Sequence, residues 1–505
     1  MNGKTRVGAW TAAIALGAGS LGVAPAPAGA AGAAGAATHW ASWLGSANTA
    51  QGTTLKHIRT VIGADTGAAA TLTGKGVGVA LIDTGVAPVS GLPASQIVNG
   101  PDLSLESQAS ELRYLDTFGH GTHMAGIIVG NDTATGTKGL APGVKLTSIK
   151  VGTANGAVDV TQVIAAVDWV VEHRGDDPAN PIRVINLSYG SGGTPKTWND
   201  PLGFAVERAW KAGIVVVAAA GNDGNSAGSL ANPASDEWIL TVGAADTKGT
   251  VSAADDQLTT FTNLSSSGKQ INVLAPGVSV LSLRDNGSYI DTTYPTARVG
   301  DTLFRGSGTS QAAAVTSAAA ALLLQARPSA TPDQIKDWMV KGSTRVPNGL
   351  AAGMGLQEIN VNGAIARSST ATPAQAWSVS NGTGTLDNSR GSSRVMMDNT
   401  PLSGQRSVWG SFPTATWAPR SSLGDSWVGG TWMGKQLAGD GWTGTSWASR
   451  TWAAASWSNS APWTSSTAWS DPAWAGRRWT GRSWTSGTWS GRSWSSDDWA
   501  SASWS

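Results

Sequence analysis

The 505-residue sequence predicts an α/β fold over residues 55–366, a mostly parallel sheet flanked by helices on both faces, and three observations predict it. Between Thr71 and Ala366 short apolar runs alternate with segments of helical pattern, the order that gives parallel sheets covered on both sides. Two helical segments open with capping sequences. An Asp-Thr-Gly turn directly follows one apolar run, which is where open sheets of this class carry their sites.

Taken in order, residues 77–82 are an apolar strand ended by Asp83-Thr84-Gly85. Gly119-His120-Gly121 leads into the compact apolar segment 124–128, which predicts a helix with His120 at its start and glycines permitting close approach. Residues 146–151 form a strand. Residues 159–172 form a helix that starts with Asp-x-x-Gln and sets Val163, Ile164, Val167, Val170 and Val171 on one side. Further strands fall at 183–187, 214–218 and 239–242. Ser310 follows Gly-Ser-Gly-Thr and opens an alanine- and leucine-rich helix to Gln325, closed by Arg327-Pro328. Thr331-Pro332-Asp333-Gln334 caps a helix to about Lys341.

The polar residues in these elements carry a chemistry. A serine hydroxyl is a poor nucleophile at neutral pH, so it needs a histidine to take its proton and a carboxylate to fix the imidazole tautomer. Asp83, His120 and Ser310 supply all three in that order. At a helix N-terminus, Ser310 lies where backbone N–H groups and the helix dipole favour developing negative charge.

Through these motifs the chain resembles the subtilisin-like serine peptidases, whose triad runs Asp, His, Ser. The likeness extends from about 61 to 366 through Gly139-Leu-Ala-Pro-Gly143, Asn186-Leu-Ser-Tyr-Gly190, Ala219-Ala-Gly-Asn222-Asp-Gly224 and Val273-Leu-Ala-Pro-Gly277. The resemblance implies a serine endopeptidase that acts on polypeptide substrates through an acyl-enzyme. It implies Asp83, His120 and Ser310 as the triad, and the Asn222 side chain with the Ser310 backbone N–H as the oxyanion hole. Ser188, Tyr189 and Gly190 become the edge that pairs with an extended substrate, and Ala219, Ala220 and Gly221 a wall of the S1 pocket. His123 is structural. Many relatives bind calcium, so a structural calcium ion is implied without named ligands, although the chemistry needs no cofactor and no EF-hand-type loop occurs. The competing reading is a wall-associated binding or structural protein with a retained peptidase scaffold. The presence of all four chemical groups argues against it.

Asp-Thr-Gly also occurs at Asp65, and paired Asp-Thr-Gly turns mark aspartic proteases. Spacing rejects that chemistry, since each aspartate needs its own β-lobe and Asp65 ends no apolar run. Asp65 reads as a turn residue.

Composition bounds the rest. A net charge of +1 with 13% charged residues gives no electrostatic case for nucleic acid or an anionic membrane. Lys4 and Arg6, a weakly apolar stretch to Val23 and Ala24-Pro-Ala-Pro-Ala-Gly-Ala30 read as a signal peptide at 1–30, cleaved near 28–32, followed by a lead-in at 31–54. A secreted location follows, extracellular or at the cell wall. No later apolar run is long enough to span a membrane. Cysteine is absent, which excludes disulfides and a lipoprotein anchor.

Three departures from the family pattern stand out. The stretch before Asp83 leaves no room for the usual folding-assistant propeptide, which predicts folding without one. Gln311-Ala-Ala-Ala314 stands where most relatives have Met-Ala-x-Pro, so Ala314 restores a backbone N–H in the first helical turn. Residues 284–305 are inserted before the nucleophile turn, either shaping leaving-group subsites or forming a surface loop.

Residues 367–408 read as a polar linker, and 409–505 as a repeat tail holding 17 of the 26 tryptophans, mostly at a spacing of five. A period of five fits neither helix nor strand. A pentapeptide-repeat solenoid would align the rings but turn Arg477, Arg482 and Arg492 inward. Two readings of the tail stay open: low-complexity, partly disordered chain, or an aromatic surface that holds the enzyme on cell wall, polysaccharide or protein aggregates.

Overall fold

The structure, a computed structural model, describes residues 52–107, 112–154, 156–193, 198–368, 371–372, 374–397, 400–428, 431–436 and 479–481. The signal-peptide reading at 1–30, nearly all of the 31–54 lead-in and most of the repeat lie outside the described residues.

Seven strands run parallel, five of them at the apolar runs read from sequence: β1 (Gly78–Asp83), β2 (Ile97–Asp102), β3 (Lys145–Lys150), β4 (Ile182–Leu187), β5 (Val215–Ala219), β6 (Leu240–Asp246) and β7 (Val273–Pro276), with β2 and β7 added. Their spatial order is β7-β6-β5-β4-β1-β3-β2, with every neighbouring pair parallel. Two short strands, Gln357–Glu358 and Thr344–Arg345, extend the sheet beyond β7, and Gln257–Leu258 pairs antiparallel with β6. β1, β5 and β7 are buried along their whole length, as strands covered on both faces must be.

The helices are α1 (Leu55–Val61), α2 (His120–Val129), α3 (Val160–His173), α4 (Pro201–Lys211), α5 (Thr309–Ala326), α6 (Pro332–Gly342), α7 (Val361–Arg367), α8 (Leu386–Arg390) and α9 (Thr414–Leu423). α2 packs with α5 on one face of the sheet and α3 with α4 on the other. Both capping boxes anticipated from sequence form, Asp159 with Gln162 and Thr331 with Gln334.

The linker and tail boundaries do not coincide with the structure. α8, α9 and the hairpin Trp427–Val428 with Thr431–Trp432 form an outer layer on α3 and α4. Arg390 is fully buried, and Trp409, Phe412, Trp417, Trp427 and Trp432 join the main hydrophobic core. The physical reason lies in carboxylates carried by α3 and its cap. Asp168 Oδ2 accepts the indole N–H groups of Trp417 at 2.6 Å and Trp432 at 2.9 Å, while its Oδ1 accepts from Ser421 at 2.6 Å and Arg208 at 2.9 Å. Glu172 accepts from the backbone N–H groups of Ser426 and Trp427, both at 3.1 Å. Asp159 pairs with Arg390 at 2.7 Å. A buried indole needs an acceptor for its N–H: Asp168 provides it for Trp417 and Trp432, and the Ala165 carbonyl provides it for Trp427 at 2.9 Å. The first tryptophans of the repeat therefore belong to the body, and the described residues between 377 and 436 are a strap across it. Farther along, Trp479–Gly481 pairs antiparallel with Val395–Met397.

Candidate active site

Asp83 is the last residue of β1 and His120 the first of α2, and the two meet directly. His120 Nδ1 lies 2.8 Å from Asp83 Oδ1 and 3.0 Å from Oδ2, with both side chains buried. Asp83 Oδ1 also accepts the backbone N–H of Thr84 at 2.7 Å. The glycines flanking His120 have a packing cause: a Cβ on Gly121 would run into the carbonyl oxygen of Gly85. Beneath the turn, Lys150 is buried in an ion pair with Glu106 at 2.9 Å and donates to the Thr84 carbonyl at 2.9 Å.

Asp116 was not singled out from sequence, yet it organises this corner. Its carboxylate accepts the backbone N–H groups of Gly119 and Thr122, both at 2.7 Å, and the hydroxyls of Thr122 at 2.7 Å and Thr84 at 2.8 Å. It thus caps α2 and ties that helix to the Asp83 turn. The available signal was an acidic residue shortly before a helix start. His123 is buried inside α2, and burial, then the neighbouring His120, holds its pKa well below the usual histidine value. It stays neutral and structural. The 284–305 insertion folds against the same corner. Tyr289 stacks on Phe118 with centroids 5.5 Å apart, and the Ile290 N–H bonds the Phe118 carbonyl. Arg284 at 2.6 Å and Arg298 at 2.8 Å both pair with Asp291 and close the insertion on itself.

Ser310 is the second residue of α5, at the helix start anticipated for it. Its hydroxyl lies 3.5 Å from the Ser188 carbonyl, and the Ser188 hydroxyl donates to the Ser310 carbonyl at 3.2 Å. Asn186 Nδ2 reaches Ser188 at 3.0 Å while its Oδ1 accepts from Ser317 at 2.9 Å, so the end of β4 is fastened to α5. Asn222 Oδ1 accepts the backbone N–H of Thr309 at 2.9 Å and its hydroxyl at 3.0 Å. With Oδ1 accepting there, Nδ2 is the donor end of this amide. Asn263, also missed from sequence, clamps the Asn222 turn: its Nδ2 donates to Asp223 at 2.9 Å and its Oδ1 accepts the Asp223 N–H at 2.5 Å. Nothing local in the sequence marks it. Ala314 is fully buried within an unbroken α5.

Ser188, Tyr189 and Gly190 follow β4 directly, and Ala219 ends β5 with Ala220 and Gly221 just beyond it. The Tyr189 ring is buried in the body, and burial, followed by the nearby Asp159 carboxylate, raises its pKa. Asp65 sits elsewhere, exposed and accepting the Thr60 hydroxyl at 2.5 Å, so no paired-aspartate site exists. Among the described residues no group of three or more acidic or histidine side chains is placed to hold a metal ion, so the implied calcium finds no acidic ligand set there. Nor is any helix among them long and apolar enough to cross a membrane.

A buried carboxylate–imidazole pair with its carboxylate at the end of a parallel strand, and a serine at a helix start whose neighbour Thr309 is bound by Asn222, match what serine hydrolases with a subtilisin-like α/β sheet carry. Comparison with known proteins agrees. The family model described as the Subtilase family matches residues 74–392. The serine protease AprX of Bacillus subtilis (strain 168) is 38% identical over 282 residues, covering 54% of this chain and 63% of AprX. Subtilisin DY of Bacillus licheniformis is 33% identical over 299 residues, covering 58% of this chain and 91% of that protein. The crystal structure of a cold adapted subtilisin-like serine proteinase aligns with a TM-score of 0.44 and 27% identity, over 58% of this chain and 90% of that one. The chain belongs to the subtilase family. It spans less than two thirds of AprX, and the family match runs past residue 366 into the strap.

Proposed function

We propose that this protein is a secreted endopeptidase that hydrolyses extended polypeptide through Asp83, His120 and Ser310 and an acyl-enzyme intermediate. In that scheme the Ser310 hydroxyl oxygen attacks the scissile carbonyl carbon as His120 Nε2 takes its proton. Asp83 holds the Nδ1–H and stabilises the imidazolium. The carbonyl oxygen becomes an oxyanion that accepts from Asn222 Nδ2 and the Ser310 N–H. Collapse breaks the C–N bond, the amine leaves with the proton from His120, and water repeats the sequence to release the acid. Each proton passes through His120, from Ser310 to the leaving amine and then from water back to Ser310.

The observation that carries the reading is the Asp83 carboxylate spanning His120 Nδ1 at 2.8 Å and 3.0 Å, which commits Nδ1 as donor and Nε2 as base. Casein hydrolysis at neutral to alkaline pH, with fluorophosphonate labelling, tests it. Labelling is expected at Ser310 and lost in Ser310→Ala, and a wild-type protein that neither labels nor cleaves would end the proposal. Asn222→Ala is expected to lower kcat about 10²–10³-fold, the loss characteristic of an oxyanion-hole side chain in this family. An adhesive role for the later tryptophan repeats belongs to the same proposal. Its test is deletion after Gln436, beyond the strap, with retention on wall pellets lost and peptidase activity kept.

A further inference from the structure

The strap does more than cover α3 and α4, because it reaches the segment that continues the proposed substrate edge. Ser191 is bridged to Asn232 by backbone hydrogen bonds of 2.9 Å and 3.0 Å. Its hydroxyl donates to the carbonyl of Ser389, and the Gly192 N–H donates to Ser393 Oγ at 3.3 Å. The approach is close enough to demand glycine: a Cβ on Gly193 would lie 2.5 Å from the Asn388 carbonyl oxygen. The Ser389 hydroxyl in turn donates to Asp200, whose other oxygen accepts from Asn232 Nδ2 at 3.1 Å and the Gly203 N–H at 2.8 Å. Arg390 is buried beside Tyr189, gripping Asp159 through Nε at 2.7 Å and Nη2 at 3.1 Å.

All of these groups are buried or nearly so, and together they join residues 189–193, 232 and 200 to residues 388–393. Ser310 and His120 are fixed by other means, through α5, α2 and β1. The backbone leaving β4 is irregular after Leu187, and an irregular segment that must pair with a peptide keeps its register only if something holds it from behind.

We propose that Ser389 and Ser393 are positioning residues for substrate: residues 388–393 form the backing wall of the 188–193 edge and set the affinity for extended peptides. The proposal rests on the reading that Ser188–Gly190 pairs with substrate. It follows that the strap acts on binding and leaves the bond-breaking step alone. A rigid edge pre-empts the ordering cost that a peptide would otherwise meet on binding. A hydrogen bond lost behind it loosens every substrate residue that pairs there, while a substrate too short to pair does not register the change.

The test compares a tetrapeptidyl anilide with a single-residue ester on wild type, Ser393→Ala, Ser389→Ala and Ser393→Thr, with active sites counted by fluorophosphonate titration and melting temperatures recorded. Each alanine variant is expected to raise KM for the tetrapeptide about 3–10-fold, the worth of one hydrogen bond, with kcat held within about two-fold and the ester unaffected. Ser393→Thr, which keeps the hydroxyl, is expected to restore KM. Equal losses on both substrates would show a general structural role and overturn the inference, as would unchanged KM in both alanine variants. A wild-type protein that cleaves neither substrate and takes no label would instead overturn the proposed function.

Discussion

Two regions of this molecule bury carboxylates, and they do so to different ends. At the proposed catalytic corner, Asp83 is held by the Thr84 backbone N–H and hydroxyl and by an imidazole that, in the proposed mechanism, gains and loses a proton. At the strap face, Asp159, Asp168 and Glu172 are surrounded by arginine, indole, hydroxyl and backbone donors that never change state. A buried carboxylate is costly in either place unless its lone pairs are satisfied. The first region leaves its partner free to work, and the second is closed. Chemistry and adhesion are built from the same side chain and differ in what the partner can do next.

The sharpest break in the comparison is Asp83→Asn. It keeps the size of the side chain but no longer enforces the donor tautomer, and kcat is expected to fall by about 10⁴ with the melting temperature nearly unchanged. A large loss of stability instead would make Asp83 resemble the strap carboxylates. Trp417→Ala should do the reverse, since the ring is fully buried and its N–H is bound by Asp168. Denaturant unfolding is expected to show a loss of about 3–5 kcal/mol, with kcat per titrated active site intact. A variant with wild-type stability would mean that the strap only rests on the body.

Next in size is a pH effect under the strap. Glu207 takes the Ser380 N–H on both oxygens at 2.9 Å, and burial followed by the Asp236 charge pushes its pKa up from 4.5 to about 9. The folded state therefore holds a proton that the unfolded chain releases above pH 4.5. This contribution is fully present below that pH and is lost as pH rises toward 9. Glu207→Gln should flatten the fall in melting temperature between pH 5 and 9, and a slope as steep as wild type would assign that fall to other groups. The smallest effect sets the baseline. Lys248 pairs with Asp246 at 2.6 Å on the surface, and Lys248→Ala is expected to change stability by less than about 1 kcal/mol in urea unfolding.

The same contrast explains what the sequence made legible. Asp83, His120 and Ser310 each sit in a turn whose glycines are dictated by local crowding, as at Gly121, so the motif and the geometry are one short stretch of chain. The capping boxes at Asp159 and Thr331 were legible for the same reason, because four consecutive residues contain the whole interaction. Asn263 was not, since it acts 40 positions away from Asp223. The strap was misread most of all. Asp168 and Glu172 lie outside the apolar set of their helix, while Trp427 and Trp432 share a five-residue rhythm with the tail and Trp417 stands shortly before it. Their true meaning is pairwise and long-range, and neither partner announces it alone.

That range has a consequence in time. Asp168 and Trp417 are 249 residues apart, and Asp168 and Trp432 are 264 apart. A chain made from its N-terminus exposes α3 and its carboxylates to water long before the indoles that will cover them exist, and closing so long a loop is slow. The sheet and the triad motifs through Ser310 are therefore synthesised before the strap arrives. The last fastening of this protein waits on residues made after its proposed chemistry is already written.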